Sequence, residues 1–458
     1  MNFIGREQEL AILKEAFDND KYEGVLIYGR RRVGKTEMLK EAARRSGVTT
    51  VYYECKKVSE ASNTLGLSEV IARVFNIPVP MFDTFEKAVD YVFEKAENEK
   101  IILIIDEYPY LKERLPGCDS ILQSIIDKHI NESNIKFALC GSYVDTMKEL
   151  VNESNPLYGR LSLKFNVRPL DYHDSAEFYP SFSNEDKVRL YSVFGGIPYY
   201  NQFIDESKTV KENILSLIAS TNARLLNEIE QTVSSEVSKM ANANEAFTAI
   251  AAGNHSFSDI LNKSHVSSSP TLADVLKKLI DMEIVEKNVS INDKGGKRAN
   301  YYISDRLALF YYTYIFRRLS FFNTMPAELF YDEFISEDFE SKFVPKAFEQ
   351  IAKQFLLRQN RAGRIKPVLY DIGKYYYNDP TNKKNGEFDV VTLNKNGYDF
   401  YEVKYTSSPI TDAVVREEKQ QLDDAPIEYN RMGFFSKSGF KISNKEDFIL
   451  YDLKDIYK

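Results

Sequence analysis

The chain has no tryptophan, only three cysteines and only four histidines in 458 residues. Cys55, Cys118 and Cys140 share no metal-ligand spacing, which excludes a zinc framework or a disulfide scaffold as the organising device. That cysteine usage fits a reducing, cytoplasmic setting. Long apolar runs are missing too. The uncharged apolar run Leu307 to Phe316 is too short to span a bilayer, which needs about 20 residues. The opening residues carry charge where a secretory leader would be apolar. There is no surplus of positive charge either. The formal net charge of −8 argues against a surface coated in nucleic acid and leaves only local basic patches open. A soluble protein without a membrane segment is expected.

The length suggests roughly three domains. The most informative stretch is the apolar run Val25–Tyr28, followed by Gly29, Arg30, Arg31, Arg32, Val33, Gly34, Lys35 and Thr36. Those eight residues fit G-x-x-x-x-G-K-[ST] without a mismatch. Gly29 and Gly34 permit the tight turn that points backbone amides at a phosphate chain. Lys35 supplies a positive charge for the β- and γ-phosphates, and the Thr36 hydroxyl is a magnesium ligand. Glu37 and the residues after it favour a helix, so the loop opens onto a helix N-terminus that attracts anions.

Further along, Val51–Tyr53 reads as a strand, Ser68–Phe75 and Phe82–Glu97 as helices. The all-apolar Ile101–Ile105 runs into Asp106 and Glu107. A parallel sheet presents such acids at its C-terminal edge, where ligands collect. Asp106 is expected to hold magnesium and Glu107 to polarise the attacking water. The strand Lys136–Cys140 leads to Gly141 and Ser142. Ser142 either touches the γ-phosphate or the water, or caps a helix over Tyr143–Val151. Arg160, before the strand-like Leu161–Val167, is either an arginine finger or a surface anchor.

These segments resemble, in order, the archaeal-type ATPase family of the AAA+ class, related to signal-transduction and origin-recognition ATPases. The quoted motifs are Phe3–Glu7, the phosphate loop, Ile101–Glu107, Leu139–Ser142, Pro156–Arg160 and Gly195–Tyr200. The resemblance implies an α/β ATPase core over residues 1–170, a helical lid over 171–240, and ATP with Mg²⁺ as ligands. It places Gly5 and Arg6 near the adenine or ribose. The run Arg30–Arg32 departs from the pattern by putting three cations in the loop, facing either solvent or an acidic partner.

Residues 241–322 read as a winged helix-turn-helix. Helices are expected at Ala246–Ala252, Phe257–Leu261 and from Ser267 onward, where Leu272, Val275, Leu276, Leu279 and Ile280 share a face. A hairpin of Ile284–Val289 and Asn300–Ile303 follows. Between Glu245 and Asp305 seven Lys and Arg face eight Asp and Glu, so the cation surplus that drives phosphate binding is absent. The basic turn Lys294–Arg298 leaves two readings, DNA contact by the wing or a structural role. The aromatic stripe Tyr301–Arg317 is expected to be core, and Asn323–Asp338 a connection.

Residues 323–458 carry a second constellation. Glu349 lies in a helix beginning near Phe339. Asp389 sits in the strand Glu387–Leu393, and Glu402 and Lys404 in the return strand after the turn Asn394–Gly397. Residues two apart in a strand share a face, so Glu402 and Lys404 point together. Two carboxylates and an amine, with Glu349 reaching in, suit magnesium and water activation at phosphate. A plain amphipathic hairpin is the other reading. The spacing resembles the PD-(D/E)xK nuclease superfamily. That implies Glu349, Asp389 and Glu402 as metal ligands and Asp389, Glu402 and Lys404 as catalytic, with Gln420 or Gln421 on the next helix. Lys374–Tyr377 stands where relatives carry tryptophans, a departure expected to stay clear of the metal.

The whole chain therefore reads as an α/β protein in which an AAA+ ATPase, lid and winged helix control a nuclease-like domain acting on DNA. A non-nucleolytic, ATP-dependent regulator that only binds DNA or a protein partner, or a homo-oligomeric scaffold, is the alternative.

Overall fold

In a computed structural model the protein is described for residues 3–234, 237, 240–293, 295–296, 299–379 and 384–458. The chain divides into two compact units, Met1–Pro169 and Leu170–Lys458.

The first unit is built on five parallel strands: β1 (Glu23–Tyr28), β2 (Thr49–Glu54), β3 (Ile101–Asp106), β4 (Lys136–Gly141) and β5 (Leu163–Asn166). Their order is β2-β3-β4-β1-β5. Helices connect them, as parallel strands require. Sheet faces covered on both sides explain why Ile101 to Ile105 are all 0% exposed. Burying each such side chain contributes about 1.5–3 kcal/mol. All strands run the same way, so the residues following β1, β3 and β4 emerge at one edge. The apolar run was therefore legible as a strand. The helices flanking it are longer or shorter than their periodicity suggested, Glu60–Phe75 and Phe85–Lys95, because Ser59 and Thr84 cap them with their side chains.

The second unit opens with short helices, among them Asn184–Phe194, Val210–Leu217 and Glu228–Ser234. Gly196 is obligatory here, because a Cβ on it would stand 1.8 Å from the Leu170 carbonyl oxygen. Three helices follow, Met240–Ala251, Phe257–Lys263 and Ser269–Asp281. An antiparallel hairpin of β6 (Val285–Val289) and β7 (Ala299–Ile303) comes next. Of its turn, Lys294, Lys297 and Arg298 lie outside the described residues. The aromatic stripe is core as expected: Leu307, Phe310, Tyr312 and Ile315 are each 0% exposed.

The expected connection Asn323–Asp338 is instead helical, chiefly Ala327–Phe334. Phe330 and Tyr331 are buried there, and Phe322, Phe330 and Phe334 pack edge-on or tilted. Ala327, Phe330, Tyr331 and Phe334 stand at i, i+3, i+4 and i+7, so one face of the helix packs through its aromatics.

A mixed five-stranded sheet completes the unit. Its order is Ile449–Asp452, Arg431–Ser436, β10 (Gly397–Lys404), β9 (Lys384–Asn394) and β8 (Leu369–Asp379). The helix Val344–Arg361 packs on β8, β9 and β10. It does so through Ala347, Phe348, Ile351, Phe355 and Leu356, one face of a 3.6-residue period. β8 is an edge strand, and the connection leaving β6 partly caps it. The Ile291 amide donates to the Lys374 carbonyl at 2.7 Å, and the Asn292 side chain bonds the Tyr376 backbone in both directions, at 2.7 and 3.3 Å. Covering an edge in this way removes a template for unwanted strand pairing.

Candidate functional site

The phosphate loop joins β1 to the helix Lys35–Ser46. Its backbone requires glycine at both ends. Gly29 has φ 147° and a Cβ there would meet the Val167 carbonyl oxygen at 2.3 Å, while Gly34 has φ 90° at the helix N-cap. Lys35 lies 7% exposed, its ammonium donating to the Gly29 and Arg30 carbonyls at 2.9 Å each. Burial pulls its pKa below the usual lysine value, with Cys140, Glu107 and Asp106 opposing that pull. Arg6 braces the loop from behind: its guanidinium donates to the Val33 carbonyl at 3.0 Å and to the Arg168 carbonyl at 2.6 Å. Arg6 and Gly5 both take left-handed backbone conformations, φ 60° and 70°. The structure places Arg6 against the loop backbone.

Asp106 ends β3 and is 2% exposed. It accepts from Thr36 Oγ1 at 2.6 Å, from the Tyr52 hydroxyl at 2.9 Å and from the Glu107 amide at 2.9 Å. A hydroxyl and a carboxylate side by side are the oxygen donors that Mg²⁺ prefers, so Thr36 and Asp106 fit that ion. Glu107 adopts φ 49°, ψ 42°. This left-handed conformation is costly for a residue with a side chain and clusters at functional sites. Its Oε2 accepts from Ser142 Oγ at 2.9 Å. This contact with Glu107 is one that neither reading of Ser142 named. The following helix, Val144–Glu149, begins after Tyr143 with no side-chain cap.

Arg160 is engaged elsewhere. It makes a two-pronged pair with Asp127 at 2.8 and 2.7 Å and donates to the Pro156 and Tyr158 carbonyls. Such paired hydrogen bonds are among the strongest a guanidinium makes.

Sequence reasoning missed Tyr52, whose hydroxyl adds a third donor on Asp106. The signal was weak but present: the strand Val51–Tyr53 is paired with β3 and ends level with Asp106. It also missed Lys57, Tyr110 and Tyr143, which gather around Arg31. Arg31 donates to the Tyr110 and Tyr143 hydroxyls at 3.2 and 3.5 Å, and Lys57 to the Tyr143 hydroxyl at 3.1 Å.

In the second unit, Asp389 (on β9), Glu402 and Lys404 (on β10) and Glu349 (on Val344–Arg361) come from the expected elements. Lys404 Nζ lies 2.9 Å from Glu402 and 2.7 Å from Glu418, the latter a partner sequence reasoning did not name. Burial pushes Glu349 up to about 7, helped by the nearby Asp389 charge. It also raises Glu402, with Lys404 opposing. Gln420 bonds Asp424 instead of this group.

One expectation is overturned. Lys374 does not stay clear of the acids: its ammonium is 2.6 Å from Asp389 and also pairs with Glu387. Burial works against its charge, yet Asp389 and Glu387 hold its pKa above the ordinary lysine value. A strand side chain reaches its cross-strand neighbours, and β8 pairs with β9 beside Asp389.

Among the described residues Glu349, Asp389 and Glu402 do not converge closely enough for three carboxylates to share one ion. The group that does is His173, Asp174 and Glu177, where Arg358 already neutralises Asp174 at 2.8 Å. As arranged, the C-terminal acids do not fit a metal, because lysines hold Asp389 and Glu402.

A parallel α/β sheet whose phosphate loop faces Asp106 and Glu107 defines a P-loop ATPase domain. Comparison with known proteins agrees. The family described as an ATPase domain predominantly from Archaea matches residues 3–202. A family described as archaeal and bacterial proteins of unknown function matches residues 311–420. The uncharacterized protein MJECL04 of Methanocaldococcus jannaschii is 30% identical over 473 aligned positions, covering 99% of each chain. This chain belongs to the same family as that protein. The uncharacterized ATP-binding protein MJ0423 of the same organism is 35% identical over 60 residues, 13% of this chain and 85% of its own. The Walker-type ATPase PABY2304 of Pyrococcus abyssi shares the fold, with TM-score 0.50 and 17% identity over 68% of this chain and 96% of that one. No helix among the described residues is long and apolar enough to cross a membrane.

Proposed function

We propose that the protein is an AAA+ ATPase that binds Mg-ATP and hydrolyses it, and that its nucleotide state sets what the second unit does to DNA. The observation that carries the first part is Asp106, shared by Thr36 and Tyr52, with Glu107 held beside it on Ser142. In this reading the loop amides and Lys35 bind the phosphates, Thr36 and Asp106 hold the ion, and Glu107 orients water. Mg²⁺ bound there would neutralise charge on the β- and γ-phosphates. The Ser142 hydroxyl bonds Glu107 at Oε2, and the carboxylate has a second oxygen, Oε1, with which to orient water. ATP as ligand is further supported by the similarity to MJ0423, an uncharacterized ATP-binding protein. Phosphate release from Mg-ATP that disappears in Glu107→Gln, with ATP binding retained, is the expected result; unchanged turnover in that variant would remove the assignment.

For the second unit, a DNA- or partner-binding role is favoured by one observation. Lys374 and Lys404 neutralise the acids that a nuclease needs for its metal. The nuclease reading rests on the elements that carry Glu349, Asp389, Glu402 and Lys404. The three helices and hairpin from Met240 to Ile303 are read as a winged helix, its hairpin connection docked on β8. Incubating plasmid with the full chain and Mg²⁺ or Mn²⁺ distinguishes the two. A binder shifts DNA on a gel without cutting it, whereas cleavage lost in Asp389→Ala would establish the nuclease.

A further inference from the structure

The phosphate loop carries a cation whose role the nucleotide-binding motif does not explain. Arg31 is the third residue of the loop. Its guanidinium lies 3.2 Å from the Tyr110 hydroxyl and 3.5 Å from that of Tyr143, and 5.7 Å from the centre of the Tyr143 ring. The two rings meet edge-on, 5.8 Å apart, and Lys57 sits on their other side, 4.7 Å from the Tyr110 ring. Among the described residues neither Arg31 nor Lys57 is within ion-pair distance of a carboxylate.

The tyrosines are placed meaningfully. Tyr110 belongs to the short helix Tyr108–Lys112 that starts directly after Glu107. Tyr143 follows Ser142, which holds Glu107. Arg31 is therefore tethered to both segments that carry the water-directing acid and its partner. The tether is weak: a cation on an exposed ring is worth about 0.5–1 kcal/mol. The contrast with Arg160 is direct, since Arg160 would have to abandon Asp127 and two carbonyls before it could serve any phosphate.

We propose that Arg31 is the arginine that stabilises charge on the γ-phosphate during hydrolysis, supplied by the same chain instead of by Arg160 of a neighbouring copy. This rests on the ATPase reading above. In the step, water oxygen bonds to the γ-phosphorus while the bond from that phosphorus to the β,γ-bridging oxygen breaks. The bonding pair leaves with ADP, and the water proton passes to Glu107 and from there to the released phosphate. Negative charge grows on the bridging oxygen. Arg31 leaves its tyrosines and meets that charge, and the tyrosines hold it ready between turnovers.

The test compares wild type, Arg31→Ala, Arg31→Lys and Glu107→Gln as full chains, with folding checked by thermal melting. Single-turnover hydrolysis, ATP affinity from a fluorescent ATP analogue, and retention of ADP with aluminium fluoride are measured for each. Arg31→Ala is expected to slow hydrolysis by about 10³-fold, the lower side of what arginine fingers contribute. Its ATP affinity should stay within about threefold of wild type, as loss of a transition-state contact leaves ground-state binding alone. It should not trap ADP–aluminium fluoride, which wild type is expected to do, and Arg31→Lys should recover part of the rate. Mixing Arg31→Ala with Glu107→Gln should give no more activity than the two separately. Recovery in the mixture overturns the proposal, because the cation then comes from another copy. Normal hydrolysis by Arg31→Ala alongside an inactive Glu107→Gln overturns it while sparing the ATPase reading. Normal hydrolysis by both variants overturns the two together.

Discussion

The nucleotide site of the first unit gathers at the end of a buried strand and the acid cluster of the second lies along two paired strands and a helix, and the two are satisfied in opposite ways. At the first, the acids rest on neutral donors. Asp106 takes hydrogen bonds from Thr36 and Tyr52, and Glu107 from Ser142. Neutral donors yield readily to an incoming cation or water. At the second, two of the three acids rest on lysines: Asp389 on Lys374, Glu402 on Lys404. An ion pair in a half-buried place has already given its acid a counter-charge, so a metal must displace an ammonium to bind. Carboxylates are thus held by neutral donors in one unit and countered by lysines in the other.

The largest effect that sharpens this contrast is expected at Glu107. Glu107→Gln should lower turnover by about 10²–10⁴-fold, the contribution of a positioned general base, and phosphate-release kinetics check it. Next comes the strand that positions it. Leu103→Ala, in the middle of β3 at 0% exposure, should destabilise the first unit by about 2–5 kcal/mol, read by denaturant melting. If that variant melted like wild type, the sheet would not be what holds Asp106 and Glu107 in place.

The second unit should betray its buried acid through pH. Glu349, pushed up to about 7, holds its proton more tightly folded than unfolded. Its presence therefore lowers stability progressively as pH rises from about 4.5 to about 7, and the deficit is constant above that. Glu349→Gln should remove the slope and leave the variant more stable at pH 8 by on the order of 1–3 kcal/mol. Melting curves across pH 5 to 8 decide it, and parallel curves for the two proteins would refute the buried-acid account. The smallest effect belongs to Tyr52→Phe. Losing one neutral hydrogen bond to Asp106 costs about 0.5–1.5 kcal/mol, expected as a few-fold change in the magnesium concentration needed for half-maximal turnover.

What was legible in the sequence follows the same divide. The loop, its glycines and the acids after Ile101–Ile105 are contiguous, and contiguity fixes their geometry through backbone turns and strand direction. The α/β fold of the first unit was therefore readable, and so was the pairing of Glu402 with Lys404, two apart on one strand. Contacts between distant segments were not. Lys374 reaches Asp389 only because β8 pairs with β9, and Glu418 reaches Lys404 from a helix across the sheet. Arg160 could be named but not oriented, since its partner Asp127 lies on another element. The helix Ala327–Phe334 was missed although Ala327, Phe330, Tyr331 and Phe334 carry a helical period, because it is only eight residues long.

The central claim is that the first site is ready for its cation and phosphate while the second is closed by its own lysine. Calorimetric titration of the full chain measures both. Mg-ATP should bind wild type and fail to bind Lys35→Ala. Mn²⁺ alone, without nucleotide, should bind wild type weakly and bind Lys374→Met at least tenfold more tightly, a gain abolished by adding Asp389→Ala. Tight Mn²⁺ binding to wild type that Asp389→Ala removes would contradict the account, because the acids would then be open with Lys374 in place.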